Sequence, residues 1–207
     1  MFYKTFKRIF DFTSALLLLI VISPLFLVLM LLVRLSIGSP IFFKQKRTGL
    51  DMKPFEIIKF RSMTNETDSD GHLLPDEERV TYVGKFLRAT SLDELPELLS
   101  IIAGNMSVIG PRPLPPSYDE YYTEDEKKRF NVRGGLIPPE VLYNNVQPTW
   151  DEQLRYEADY AETLSMKKDV EIIIAVFRGL FTRYKNDYGE YVRKSLDEER
   201  KKEETNV

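Results

Sequence analysis

Residues 12–33 read FTSALLLLIVISPLFLVLMLLV, 22 consecutive positions without a charge, with Ser23-Pro24 at their centre. The run matches the roughly 20 apolar residues that cross a hydrocarbon core. Pro24, however, has no N–H and leaves the carbonyl of Ile20 without its helical donor. Each half, about 11 residues, would rise about 16 Å as a helix, roughly half of a ~30 Å core. Lys4, Lys7 and Arg8 precede the run, and Arg34, Lys44, Lys46 and Arg47 follow it, so the positive-inside rule assigns both flanks to the cytoplasmic face. A re-entrant helix-break-helix turning at Ser23 and Pro24 satisfies both flanks, whereas a spanning helix satisfies one. The alternative is a Pro-kinked signal anchor. A turn at that depth must find partners for its freed backbone groups, and the Ser23 hydroxyl is a local candidate. A cleaved signal peptide fits less well, because the run exceeds the usual apolar region and no small-residue cleavage pattern follows it.

The 207 residues leave room for one compact domain of about 150 to 175 residues beyond the apolar run. Residues 1–64 carry 10 Lys and Arg against 3 Asp and Glu, while the remainder carries 19 against 29. The positive end is thus the membrane end, which suits an anionic leaflet or a phosphorylated lipid. The overall acidity argues against nucleic acid as a partner. Cysteine is absent, which excludes disulfides, thiolate metal sites and Cys nucleophiles. The single histidine, His72, lies in the polar stretch TNETDSDGHLLPDEE and reads as a loop residue, so a Ser-His-Asp triad is not expected.

Outward from the apolar run, Phe2, Phe6, Ile9 and Phe10 recur at helical spacing, as for a segment lying along the interface. IFFKQK and FEIIKF flank the turn-forming RTGLDMKP and predict a β-hairpin, the only sheet the sequence suggests. Leu95, Leu98, Leu99 and Ile102 mark a helical face that Gly104 closes. Thr123, then three acids and three bases, predicts a short solvated helix ordered along its dipole. Leu154, Ala158, Ala161 and Leu164 line one further helix; Val170, Ile173, Ile174, Phe177, Leu180, Phe181 and Tyr184 line another, expected to pack on the domain more than on lipid. The tail SLDEERKKEETNV reads as frayed. The expected fold is α+β but mainly α, with several interfacial and globular helices. Its parts are an interfacial and re-entrant segment at 1–36, a cytoplasmic catalytic domain at 37–184 and a charged tail at 185–207.

The chemistry concentrates in SLDELPELLSIIAGNMSVIGPRP, residues 91–113, where the adjacent acids Asp93 and Glu94 lie between Arg88 and Arg112. Two readings of the acids stand. Ser91 to Glu94 fits S-x-x-E, a capping box whose carboxylate satisfies only a backbone N–H. Alternatively Pro96 begins the helix, and both acids lie just outside it, where donors attract anions and a nearby Arg favours the ionised carboxylate that attacks as a nucleophile. Arg112, fixed between Pro111 and Pro113, has little freedom to lose on binding phosphate; the bland reading is a stiff proline connector. Lys59 and Arg61 alternate onto one strand face as a second positive cluster or as a solvated basic edge. A membrane hairpin, a basic interface, paired acids and a fixed arginine together suggest phosphate chemistry on a lipid.

KRIFD at 7–11, Ser23-Pro24, PIFFKQKRTG at 40–49, KFRSM at 59–63, the block at 91–113, and VRGG at 132–135 with Trp150 after it resemble the bacterial sugar transferases. More narrowly, they resemble the small monotopic phosphoglycosyl transferases, to about residue 184. The chain looks like the minimal catalytic unit, without the extra N-terminal spanning helices of larger members. The resemblance implies transfer of a phosphosugar from a UDP-sugar to polyprenol (undecaprenyl) phosphate with release of UMP, in the first membrane step of glycoconjugate assembly. It implies Asp93 as the nucleophile of a covalent phosphosugar intermediate, Glu94 as its assistant, Mg²⁺ held by Asp93 and Glu94, and substrate phosphates met by Lys59, Arg61, Arg88 and Arg112. It also implies a bacterial inner-membrane location facing the cytoplasm; a homodimer is compatible with it. One segment departs. Where the family has a run like PGITGLAQVNGRN, residues 134–146 read GGLIPPEVLYNNV, so Pro138-Pro139-Glu140 and Asn144-Asn145 form either a different donor pocket or a restructured loop. The rival function is a non-catalytic membrane-anchored scaffold whose acids are helix caps; a lipid-phosphate hydrolase is a weaker rival, lacking an evident His nucleophile.

Overall fold

The computed structural model describes residues 2–143, 148–182 and 193–205. The fold is mainly helical. Helix α1 (Phe2–Ser36) is the one helix among the described residues long and apolar enough to cross a membrane. It runs without interruption through Pro24, so the expected break is not a break in helical geometry. The reason is local: Ser23 Oγ donates to the Ile20 carbonyl at 2.8 Å, which is the acceptor that Pro24 leaves without its N–H.

Strands β1 (Phe42–Thr48) and β2 (Pro54–Phe60) form the expected sheet. Only residues 49–53 connect them, too few for a parallel crossover. Helices α2 (Asp76–Arg79), α3 (Tyr82–Thr90) and α4 (Glu97–Ala103) follow. Gly104 closes α4 at φ +90°, as its position after the leucine face suggests. A second sheet escaped the sequence reading: β3 (Ser107–Ile109) pairs in parallel with β4 (Gly135–Ile137). Three-residue strands show too little alternation to be read from sequence. Helices α5 (Trp150–Glu162), α6 (Met166–Thr182) and α7 (Leu196–Thr205) complete the chain.

The residues read as one catalytic domain divide between two compact units. One comprises Phe10–Gln45 and Glu56–Gly104; the other comprises Met1–Ile9, Lys46–Phe55 and Asn105–Val207. In the first, Leu29 and Val33 are buried against Phe60 and Leu87, with Phe26 and Phe42 packed around Phe60. The i, i+4 spacing gives the second half of α1 one face for this core, while Leu27, Leu31 and Leu35 stay exposed. Fully burying each such side chain stabilises by about 1.5–3 kcal/mol.

The second unit has two apolar clusters, one around Leu114, Tyr122, Phe130, Trp150, Leu154 and Leu196, the other around Ile109, Val132, Tyr160, Ala161 and Ile172. The expected faces of α5 hold, since Leu154, Ala158 and Ala161 are buried. Three expectations need correction here. The 123–129 segment is solvated only in part: Thr123, Glu124 and Asp125 are exposed, but Glu126 and Arg129 are buried in a 3₁₀ turn, Glu126–Asn131, because each finds an ionic partner. On α6 Ile172 is fully buried and Ile173 packs against the same cluster, while Met166, Val170, Ile174 and Phe177 form an exposed apolar stripe; the side chains of Leu180, Phe181 and Tyr184 lie outside the described residues. The tail docks rather than frays: Leu196 is fully buried, Arg200 pairs with Glu126 at 2.6 Å, and the Trp150 indole donates to the Lys194 carbonyl at 3.0 Å. Asp169 of α6 accepts from Tyr3 and Tyr160, each at 2.6 Å, and pairs with Lys7 at 2.9 Å, fastening the start of α1.

Candidate active site

The acidic centre belongs wholly to the first unit. Helix α3 is capped by Thr81, whose side chain accepts from the Gly84 N–H at 3.0 Å. It ends at Ser91 in the left-handed region, φ +55°. Gly84 lies so close to the end of β2 that a Cβ there would sit 1.9 Å from the Ser62 carbonyl oxygen. That approach lets Arg88, one turn further on, donate from Nε to Ser62 Oγ at 2.9 Å.

From Ser91 the chain enters a 3₁₀ turn, Leu92–Glu94, that carries both acids, and α4 begins with Pro96 as its cap. The Ser91 side chain makes no capping bond, so the capping-box reading does not hold and the acids stand outside the helix start. Lys59, on β2, bridges Glu94 and Glu97. Its Nζ lies 2.6 Å from Glu94 and 3.3 Å from Glu97. Glu97 was missed in sequence, although it stands i+3 from Glu94 and i+4 from Asp93, the spacing of one helical face. Among the described residues Asp93 forms no ion pair of this kind, and it is partly buried. Desolvation pushes its carboxyl above the usual value; Glu94 adds to that, while Lys59, its own backbone N–H and Arg88 oppose it.

The other expected cations take different places. Arg61 is buried and donates to the Pro40 and Met63 carbonyls at 3.1 and 3.3 Å, which fixes the exit of β2. Arg112 belongs to the second unit, where its main chain is clamped. Its N–H donates to Glu157 Oε1 at 2.9 Å, and its carbonyl accepts from Arg129 Nη2 at 2.5 Å. Glu157 and Arg129 form a fully buried ion pair of 2.6 Å, with Gln153 donating to Glu157 at 3.1 Å and Arg129 to the Tyr122 hydroxyl at 3.2 Å. Glu157 falls on the apolar stripe of α5, three residues after Leu154. A charge on a buried stripe needs a buried partner, and that was its legible signal.

Glu140, in the departing segment, occupies the 3₁₀ turn Pro139–Tyr143. Burial first, and Glu157 second, push its carboxyl up to about 8, against its own backbone N–H, Arg112 and Arg129. Asn144 and Asn145 lie outside the described residues. His72 is an exposed loop residue whose turn is held by Asp68 accepting from its N–H at 2.9 Å.

No three His, Asp or Glu side chains among the described residues stand together as a metal cage. Mg²⁺ is commonly bound through one or two carboxylates together with substrate phosphates. Asp93 and Glu94 are hard oxygen donors in an adjacent pair, and that donor set fits the ion.

Comparison with known proteins bears on this geometry. Residues 2–183 match the family model described as bacterial sugar transferase. The chain is 42% identical over 172 residues to an uncharacterised sugar transferase, EpsL, of Bacillus subtilis, covering 83% of this chain and 85% of the relative. It is 33% identical over 186 residues to a UDP-glucose:undecaprenyl-phosphate glucose-1-phosphate transferase of Caulobacter vibrioides, covering 85% and 70%. With the Klebsiella pneumoniae protein of the same name it is 35% identical over 189 residues, covering 86% of this chain but only 41% of the relative. The family match spans both units, from the apolar helix through the acidic turn to α6, and the chain belongs to the bacterial sugar transferase family.

Proposed function

We infer that this chain transfers a phosphosugar from a UDP-sugar to polyprenol (undecaprenyl) phosphate, releasing UMP, through a covalent intermediate on Asp93. The observation that carries the reading is the asymmetry of the acid pair. Lys59 engages Glu94 and Glu97, while Asp93 stands partly desolvated without such a tether. Desolvation raises the basicity of a carboxylate, as a nucleophile requires.

A carboxylate oxygen of Asp93 attacks the sugar-bearing phosphorus, and the bond from that phosphorus to the UMP oxygen breaks. The phosphate oxygen of the polyprenol phosphate then attacks the same phosphorus, the bond to Asp93 breaks, and the carboxylate is restored. Glu94, steadied by Lys59, takes up the acceptor's proton where the acceptor carries one. Arg88 favours the ionised form of Asp93, and the family resemblance assigns Arg112 to a substrate phosphate. Asp93 and Glu94 would hold Mg²⁺, which would supply further neutralisation of charge on the phosphoryl oxygens.

The same reading places α1 as a re-entrant element of the bacterial inner membrane, bent at Pro24, with its flanks in the cytoplasm. Support comes from the charges on both flanks, Lys4, Lys7 and Arg8 before the apolar run and Arg34, Lys44, Lys46 and Arg47 after it, which the positive-inside rule assigns to one face.

The test is UMP release by protein in nanodiscs with Mg²⁺, undecaprenyl phosphate and a panel of UDP-sugars. Wild type is expected to release UMP with one or two sugars, and Asp93→Asn to lose at least about three orders of magnitude. Mass spectrometry of the wild type with donor alone is expected to show the phosphosugar adduct. Equal release by Asp93→Asn would remove Asp93 as nucleophile, and no release with any sugar would favour the scaffold reading.

A further inference from the structure

The departing segment begins on β4, and its register with β3 is fixed. Ser107 faces Gly135 and Ile109 faces Ile137. Counting on from the last pair, Arg112 and Glu140 each stand three residues beyond the carboxyl end of their strand. At the carboxyl ends the Gly110 N–H donates to the Ile137 carbonyl at 3.1 Å, and the segment after β3 is tied to the start of β4 by the Gly135 N–H, which donates to the Pro111 carbonyl at 2.9 Å. The backbones pass so closely there that a Cβ on Gly135 would lie 2.0 Å from the Gly110 nitrogen.

Glu140 lies among opposed charges, with Glu157 of α5 on one side of the balance and Arg112 and Arg129 on the other. Its Oε2 is buried and finds no hydrogen-bond partner among the described residues. A buried polar atom left unsatisfied is costly, and an incoming hydroxyl removes that cost. A carboxyl with a raised pKa is also partly protonated at neutral pH, so it both donates and accepts, as a sugar hydroxyl does.

We propose that Glu140 recognises the donor sugar: set beside Arg112 by the register of β3 and β4, its carboxyl hydrogen-bonds a hydroxyl of the sugar whose phosphate Arg112 engages. The assignment rests on the transferase reading and extends it to the one segment where this chain departs from its family's usual run. It explains how that run is replaced without loss of a polar contact to the donor.

The test separates sugar from nucleotide and binding from turnover. Wild type, Glu140→Ala and Glu140→Gln in nanodiscs are titrated calorimetrically with UDP, UDP-glucose, UDP-galactose and UDP-N-acetylglucosamine, and thermal unfolding confirms that each variant is folded. Glu140→Ala is expected to weaken the best-bound UDP-sugar about tenfold, the worth of one buried hydrogen bond, and to leave UDP unchanged. Glu140→Gln keeps a donor and an acceptor and is expected to stay within about threefold of wild type. Equal loss for UDP and UDP-sugar would place Glu140 on the nucleotide and overturn the proposal, as would unchanged UDP-sugar affinity in Glu140→Ala. Absence of UMP release by wild type would overturn the transferase reading, while the ratio of the two affinities still judges Glu140; absence of UDP-sugar binding by wild type would overturn both.

Discussion

Replacing Arg129 by Met should destabilise the protein by about 3–5 kcal/mol, because it breaks a buried pair and leaves its partner charged. Arg129 and Glu157 are 1% and 0% exposed and 2.6 Å apart, so water cannot take the place of the guanidinium. The substitution also removes the donors to the Tyr122 hydroxyl and the Arg112 carbonyl, and the cation over the Phe130 ring at 5.0 Å. Glu157 keeps only neutral donors, Gln153 and the Arg112 N–H. At roughly 2–4 °C per kcal/mol for a chain of this size, the melting temperature should fall by about 6–20 °C. Intrinsic fluorescence is a suitable readout, since Trp150 is the only tryptophan and packs in a core with Phe130. The double variant Arg129→Met with Glu157→Met removes both charges and should recover most of that stability, as buried pairs often exchange for apolar residues at little cost. It should not recover turnover, because the Arg112 main chain then lacks both of its anchors. A melting temperature for Arg129→Met within about 2 °C of wild type, or a double variant no more stable than the single one, would refute the reasoning.

Lys59→Met removes the cation that opposes desolvation at Asp93, so the Asp93 pKa should rise further. A carboxyl that must be ionised to attack loses activity as pH falls through its pKa, and the acidic limb of the kcat/KM profile should move to higher pH; an unmoved limb would show that Lys59 does not act on Asp93. Gly84→Ala places a methyl 1.9 Å from the Ser62 carbonyl oxygen and should cost at least about 2 kcal/mol by overpacking, read as a lowered melting temperature with reduced turnover. Pro24→Ala restores the N–H donor to Ile20 and should favour a straight span. Because the sequence contains no cysteine, single cysteines placed at Thr5 and Ser39 report on each flank, and inside-only labelling of both together with full activity in Pro24→Ala would contradict the role given to the proline.

Much of the architecture was legible because its signals are local. Gly104 closes α4 where the leucine periodicity stops, the turn residues between IFFKQK and FEIIKF make the hairpin, and Leu154, Ala158 and Ala161 face inward at helical spacing. The Ser23 bond to Ile20 was legible too, since a proline identifies the carbonyl it deprives. What misled was exposure inferred from charge. Glu126, Arg129 and Arg200 were read as parts of a solvated helix and a frayed tail, and in the fold they pair across intervals of sequence that no periodicity spans.

An uncharged run long enough to cross a membrane and two adjacent carboxylates, Asp93 and Glu94, were legible from residue order alone, because both signals are local and stay with the chain wherever it folds. Folding was needed to show that Lys59 tethers Glu94 and Glu97 and not Asp93, that Arg61 serves the backbone, and that Glu140 stands level with Arg112. Those outcomes depend on strand register and on which charges meet after burial, and both are set by contacts between residues far apart in sequence.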